Sequence, residues 1–261
     1  MIIIAHELGF RIVTVGETTS TNDLAKQYAK HSPEGLVIRA ARQTQGRGRR
    51  GRVWHSEPGG LYFSILLKPK LPPAELAKIT LVAGVTIVEV LRRRYDLPAE
   101  LKWPNDVVIT GKKVAGILCE GVTHGSDYGS VIVGIGINTN QKITAMPEKL
   151  RATAGSLEYF IGSKLDNNVL LQHILRRFGN NYRRLLSGNS RELLSSAREY
   201  TTMLGKTVQV ITETQVYTGK ACDLSEHGAL IIENADGSRH ELWSADISIR
   251  VETDPAGDLG R

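Results

Sequence analysis

Gln45-Gly46-Arg47-Gly48-Arg49-Arg50-Gly51-Arg52-Val53-Trp54 is the stretch on which the reading of the fold turns. Its glycines at 46, 48 and 51 satisfy G-x-G-x-x-G, the spacing of a dinucleotide-binding turn. That turn must follow a strand and open directly into a helix. Here Val53-Trp54-His55-Ser56-Glu57-Pro58-Gly59-Gly60 follows, which is turn-rich and not helical. A dinucleotide-binding βαβ unit is therefore set aside. What remains is a loop with four arginines and three glycines. Glycine allows positive φ and close approach to a ligand, and arginine offers a fork of donors that fits phosphate or carboxylate. The stretch reads as a mobile loop that wraps an anion, with Trp54 as lid or stacking face. Taken alone it admits three readings: a nucleotide-phosphate clamp, a nucleic-acid contact, or a solvated basic loop.

Outward from the loop, Phe10 to Val15 alternates and is β-branched, so it reads as a strand. Thr18 to Asp23 then offers Ser20, Thr21 and Asn22 as N-caps for a helix running to Lys30. Ordinary capping and a hold on a small polar ligand are both open for these side chains. Leu36-Val37-Ile38 is a strand leading into the loop, and Gly60 to Leu67 is another. Pro72 to Tyr95 repeats with helical spacing. Leu101 to Ile109 begins and ends as strand. Pro104 cannot donate to a central ladder, so Trp103 to Asp106 reads as a bulge or edge facing a site. Thr110 to Lys113 is a tight turn, and Val114 to Val122 and Ser130 to Ile137 are further strands. The second holds Gly134 and Gly136, as where another group approaches closely.

The expected fold class is α+β, with a mixed, mostly antiparallel sheet packed by helices. Helices follow at Asn168 to Leu186 and Ser190 to Tyr200, and short strands from Thr207 to Val251 predict a small C-terminal SH3-like β-barrel. The expected domains are residues 1–203 and 204–253, followed by a disordered tail at 254–261.

The chain has 261 residues, 41% of them hydrophobic, enough for a real core. A net charge of +6 and a pI near 9.3 favour anionic partners. Cys119 and Cys222 are each flanked by apolar residues, which favours two buried reduced thiols over a disulfide. The apolar start, Met1 to Ala5, is too short for a signal or a membrane span, and no later stretch is long enough. A cytoplasmic protein is the default expectation.

Gln43, Arg47, Arg49, Lys102, Asn105, Asp106, Lys113 and Asn138 are polar where a sheet core should be plain, and buried polar groups need partners. A cleft gathering these cations and one aspartate suits a triphosphate with its magnesium. Mg²⁺ takes one or two carboxylates plus phosphate oxygens, which nominates Asp106. An equally good reading pairs Asp106 with Lys102 or Lys113 at a strand end.

Five motifs, in order, resemble biotin protein ligase: Thr19-Ser20-Thr21-Asn22, Gln43 with Gly46 to Arg52, Lys102 to Asp106, Lys113 to Ile117, and Gly134 to Asn138. The resemblance covers roughly residues 11–251 and includes the C-terminal barrel. It implies a class II synthetase/biotin–lipoate ligase-like fold and two chemical steps. Biotin's carboxylate attacks the α-phosphate of ATP to give biotinyl-5′-AMP, and a lysine of biotin carboxyl carrier protein then displaces AMP. The carrier would belong to acetyl-CoA carboxylase or a related biotin-dependent carboxylase. By the same resemblance Ser20, Thr21, Asn22, Gln43, Arg47, Gly48, Arg49, Lys113 and Gly116 bind biotin. Arg47, Arg49, Arg52, Trp54, Lys102, Asn105, Asp106 and Asn138 bind ATP or the adenylate, with Asp106 reaching Mg²⁺ through the phosphates. Lys113 leads the catalytic set with Arg49 and Arg47, bridging carboxylate and α-phosphate, and its neighbour Lys112 is a solvated turn residue. Arg250 either contacts phosphates or carrier or simply ends a surface strand, and Asp246 is weaker still. Members of the family can pair through sheet edges, so a homodimer is open.

Two rivals stand beside this reading. A lipoate ligase shares the fold and the adenylation logic. A nucleic-acid-binding module could use the arginine loop, but aromatics are only 6% and no stacking platform is evident. Some relatives carry an N-terminal DNA-binding domain. Only about eighteen residues precede Thr19 here, where a domain needs roughly fifty or more, so the short form is expected. The prediction is no sequence-specific operator binding, and a salt-sensitive, sequence-specific gel shift would contradict it.

Overall fold

The structure, a computed structural model, describes residues 2–3, 9–124, 127–211, 216–243 and 248–251. Asp246 and the expected tail at 254–261 lie outside the described residues, and of Arg250 only the backbone is described.

Eight strands make the larger sheet: β1 (Ile2–Ile3), β2 (Arg11–Thr18), β3 (Leu36–Gln43), β4 (Leu61–Leu67), β5 (Ala99–Lys102), β6 (Asp106–Ile109), β7 (Lys112–His124) and β8 (Asp127–Ile137). Their order is β1-β2-β3-β4-β8-β7-β6-β5. Only β2 and β3 run parallel, joined by a crossover through helix α1 (Thr21–Tyr28); the remaining neighbours are antiparallel. β4 lies in the middle and is buried at every position, so its Leu-Tyr-Phe-Ser-Ile-Leu-Leu run shows no alternation. α1 packs on β3, β4 and β8 through Ala25 and Ala29, which meet Leu36, Ile38, Leu66 and Ile132.

The apolar repeat over 72–95 gives two helices, α2 (Pro73–Leu76) and α3 (Lys78–Tyr95). Two single-turn helices, α4 (Glu148–Arg151) and α5 (Leu157–Ile161), follow β8 and were not legible as helices from spacing. α6 (Asn167–Leu186) and α7 (Arg191–Tyr200) pack with α3 over the large hydrophobic core, and Asp166 caps α6 by accepting from Asn168 N and Val169 N.

The C-terminal strands are β9 (Thr207–Ile211), β10 (Val216–Leu224), β11 (Leu230–Glu233), β12 (Arg239–Leu242) and β13 (Ser248–Val251). They form a second, antiparallel sheet ordered β12-β11-β10-β9-β13. Its inward residues, among them Val208, Val210, Leu224 and Leu230, belong to the same continuous core as α3 and the larger sheet. Trp103 Nε1 donates to the Gly228 carbonyl at 3.1 Å, tying the turn after β10 to the turn after β5.

One buried charge clamps the helical layer. Glu89 on α3 is 3% exposed and accepts from Arg177 and, at 2.9 Å, from Asn181 Nδ2, both on α6. Burial alone would push its carboxyl upward, but the bonds from Arg177 and Asn181 outweigh burial and hold it below the usual range. Removing one partner of such a pair strands the other charge in the interior. Arg177→Ala should therefore cost about 3–5 kcal/mol in urea unfolding at neutral pH. Part of that loss should return as the pH is lowered and Glu89 takes up a proton.

Candidate active site

The first turn of α1 meets the ends of β3 and β4 over a layer of hydroxyls and amides. Ser20 occupies the N-cap position, but its side chain makes no capping bond. The start of the helix is held from across the chain instead. Gln43 Oε1 accepts from Thr21 N at 2.8 Å and from Thr21 Oγ1 at 3.1 Å, while Gln43 Nε2 donates to Ser56 Oγ at 2.8 Å. Ser64, in the middle of buried β4, donates to Asn22 Oδ1 at 2.6 Å and lies 2.7 Å from Thr21 Oγ1. Asn22 Nδ2 donates to Leu118 O at 3.3 Å and Glu120 Oε2 at 2.6 Å.

The arginine loop closes on itself through Gly48 N to Arg52 O at 2.7 Å and Trp54 N to Gly46 O at 2.9 Å. Arg50 and Gly51 take left-handed φ of 56° and 67° to make the tip. Arg47 turns back to α1 and grips both oxygens of Asp23, at 2.6 and 2.5 Å. The Arg47 bond holds the Asp23 carboxyl below its ordinary range, and the same bond raises the guanidinium. Arg49 Nη1 donates to Asn105 Oδ1 at 3.1 Å, and Asn105 is fixed in turn by Nδ2 to Ile117 O at 3.1 Å. Trp103 to Asn105 form the turn between β5 and β6 at the edge of the sheet.

Lys113, near the start of β7, reaches Asp106 Oδ1 at 2.7 Å. Asp106 Oδ1 finds no hydrogen bond of good alignment, so charge rather than a directed bond holds the pair. Lys113 Nζ also stands 5.3 Å from the centroid of the Trp54 ring, within cation–π range. Lys112 points elsewhere and donates to Ala152 O at 2.5 Å, so it is bonded rather than merely solvated.

Glycines set the floor. A Cβ on Gly134 would stand 2.2 Å from Asn22 Oδ1, and one on Gly136 would stand 2.4 Å from Trp54 Nε1. Gly134 thus admits the asparagine amide, and Gly136 admits the indole. Trp54 Nε1 is buried there without a hydrogen-bond partner. At the far end Asn138, nearly fully buried, is fixed by Gln141 Nε2, which donates to its Oδ1 at 3.2 Å.

These groups enclose one cavity of about 310 Å³. It is lined by Ser20, Thr21, Asn22, Gln43, Arg47, Gly48, Arg49, Arg52, Trp54, Lys102, Asn105, Asp106, Lys113, Gly116 and Asn138, and so by the candidate residues that the sequence nominated for biotin, nucleotide or metal, Arg250 apart. Trp103 and Ile117, which fell inside the quoted motifs, line it too, as do Leu118, Met146, Leu150 and Thr153, which the sequence reading did not single out. Nor did it nominate Asp23, Glu120 or Ser64, which hold the lining in place. Ser64 had a signal, a hydroxyl inside an apolar run that must find a partner. Asp23 was masked, because an acid in the first turn of a helix already has a reason to be there. Among the described residues no three His, Cys, Asp or Glu side chains converge as a metal cage. None of the helices among the described residues is long and apolar enough to cross a membrane. Cys119 and Cys222 are free, and both are only partly buried.

Residues 15–138 match the Biotin/lipoate A/B protein ligase family, and residues 203–250 match the Biotin protein ligase C terminal domain. The Bifunctional ligase/repressor BirA of Bacillus subtilis is 34% identical over 244 residues, 93% of this chain and 75% of that protein. The Biotin--[acetyl-CoA-carboxylase] ligase of Mycobacterium tuberculosis is 30% identical over 227 residues, 84% of this chain and 82% of that one. Among solved structures, the biotin protein ligase from Aquifex aeolicus in complex with biotin and ATP superposes with a TM-score of 0.83. It is 35% identical, covering 93% of this chain and 99% of the other.

The Asp23–Arg47 contact yields a pH test. A depressed carboxyl contributes stability above its unfolded value, here about 3.8, and loses it as the pH falls through the lower folded value. Asp23→Asn should therefore speed amide hydrogen exchange across residues 45–54 at neutral pH. The unaltered chain should show the same local loosening only when acidified below pH 3.8.

Proposed function

The chain belongs to the biotin protein ligase family, and we propose that it attaches biotin to a lysine of a biotin carboxyl carrier protein through biotinyl-5′-AMP. In the first step a biotin carboxylate oxygen attacks the α-phosphorus of ATP. The bond from that phosphorus to the bridging oxygen breaks, and pyrophosphate leaves. In the second step the free ε-amine of the carrier lysine attacks the carbonyl carbon of the mixed anhydride. AMP leaves with the anhydride oxygen, and the amine releases a proton to solvent.

The observation that carries this reading is that Arg47, Arg49 and Lys113 line the same cavity as the neutral layer of Ser20, Thr21, Asn22 and Gln43. A carboxylate must be brought onto a polyphosphate, and the repulsion between them is the main obstacle. Cations already fixed by their own partners meet that charge without reorganising in the transition state. The amides and hydroxyls, with Gly48 and Gly116 leaving room, suit the polar ring of biotin. Lys102, Asn105, Arg52, Trp54 and Asn138 serve the nucleotide. Lys113 is the residue that would span biotin carboxylate and α-phosphate, exchanging its present partner Asp106 for substrate oxygens.

A Mg²⁺ ion fits only as a companion of the phosphates, since the lining offers one carboxylate, Asp106, among the described residues. When bound it would supply further positive charge at the phosphate oxygens. The acceptor fits a carrier of acetyl-CoA carboxylase or a related enzyme, as the names of similar proteins support.

Biotin-dependent ATP–pyrophosphate exchange tests the reading. Lys113→Ala should lower exchange by about 10²-fold or more while the unfolding midpoint stays within about a degree. Lipoate should not replace biotin. Exchange at the unaltered rate in the variant would remove Lys113 from its role, and exchange driven by lipoate alone would move the chain to the other branch of the fold.

A further inference from the structure

Glu120 on β7 is a carboxylate on the face that alternation shares with Gly116 and Leu118, both of which line the cavity. It has two short contacts, both from α1. Oε2 accepts from Asn22 Nδ2 at 2.6 Å, and Oε1 accepts from Lys26 Nζ at 2.6 Å. Asn22 and Lys26 are four apart, so one helical face brings both down on the same carboxylate. Arg47 Nη2 stands 4.0 Å from Oε1 while the same guanidinium holds Asp23. Asp23 Oδ1 lies 4.0 Å from Lys26 Nζ. Two acids and two bases thus alternate around the root of Asn22.

An asparagine amide can face a ligand with its carbonyl or with its NH₂, and the two ends recognise opposite partners. Here both ends are committed. The NH₂ faces Glu120 and Leu118 O, and the carbonyl accepts from Ser64 over Gly134. A carboxylate only accepts, so it forbids the flipped amide. A hydroxyl at that position could not.

We propose that Glu120 is a positioning residue for biotin: its charge fixes the orientation of the Asn22 amide and seats Lys26 and the Arg47 end of the loop beside it. It touches neither substrate and acts on how well biotin is held rather than on the chemical step. This rests on the biotin reading above.

The test is calorimetric titration of the full chain with biotin alone, for the unaltered protein, Glu120→Gln, Asn22→Ala and the double variant. Glu120→Gln keeps shape but removes the charge and offers an NH₂ where only an acceptor belongs. It should weaken biotin binding by about tenfold or more, the scale of a charged hydrogen bond. In the Asn22→Ala background the same change should add less than about threefold, because the amide it orients is gone. In steady state KM for biotin should rise with kcat changed less than about threefold. Equal affinity in Glu120→Gln, full additivity in the double variant, or a loss confined to kcat would each overturn the proposal. Should Glu120→Gln not fold, Lys26→Met carries the test. It removes the cation opposite and should weaken binding by about threefold, and unchanged affinity would count against the proposal. If the unaltered chain binds no biotin, the functional reading fails instead.

Discussion

The structure must gather positive charge in one cavity before any anion is there to balance it. Two like charges 4–8 Å apart repel by about 2–4 kcal/mol at an effective dielectric of about 20, a large share of a domain's total stability. Each principal cation is therefore given a partner within the fold. Arg47 takes Asp23, Lys113 takes Asp106, and Arg49 takes the neutral Asn105. The partners differ in strength. Arg47 is gripped through two aligned bonds, whereas Lys113 is held by proximity alone. The lysine is thus the cation most easily drawn from its partner, and the arginine the one that anchors its loop.

The second requirement is a polar layer inside a sheet that is otherwise apolar. Ser64 in fully buried β4, Thr21 and Asn22 in the first turn of α1, and Gln43 at the end of β3 satisfy one another across 22 to 43 residues of chain. Left singly, each would cost a few kcal/mol of lost solvation; bonded together, they fix the entry of α1 onto the sheet. Ser20 makes no side-chain cap, and the amide met at the start of the helix is that of Thr21, by Gln43. Local capping statistics were overridden by a contact made after the chain had turned back.

What could be read in the sequence follows the same division. The long strands, α3, α6 and the second sheet announced themselves through period and punctuation, since both are local. Rejecting the dinucleotide turn depended on the turn-rich run from Val53 to Gly60, and β3 and β4 duly flank an irregular loop. The single-turn helices at 148–151 and 157–161 are too short for periodicity to register. Lining residues were legible as polar intrusions in strands. The residues that hold them were not, because Asp23 and Glu120 each look ordinary in their own element. Asp23 gains its meaning only when the arginine loop turns back to α1, and Glu120 only when α1 settles over β7, nearly a hundred positions apart in the chain. Of the two lysines weighed as partners for Asp106, Lys113 is the one it meets.

The bond from the Trp103 indole to the Gly228 carbonyl has a wider implication. It joins the small sheet to the very turn that carries Pro104 and Asn105, and the apolar interior runs unbroken beneath both. Two sheets that share one buried cluster lose part of that interior whenever either of them opens. The small sheet is then less an appendage than a brace, and damage to it would be felt first at the Asn105 end of the cavity.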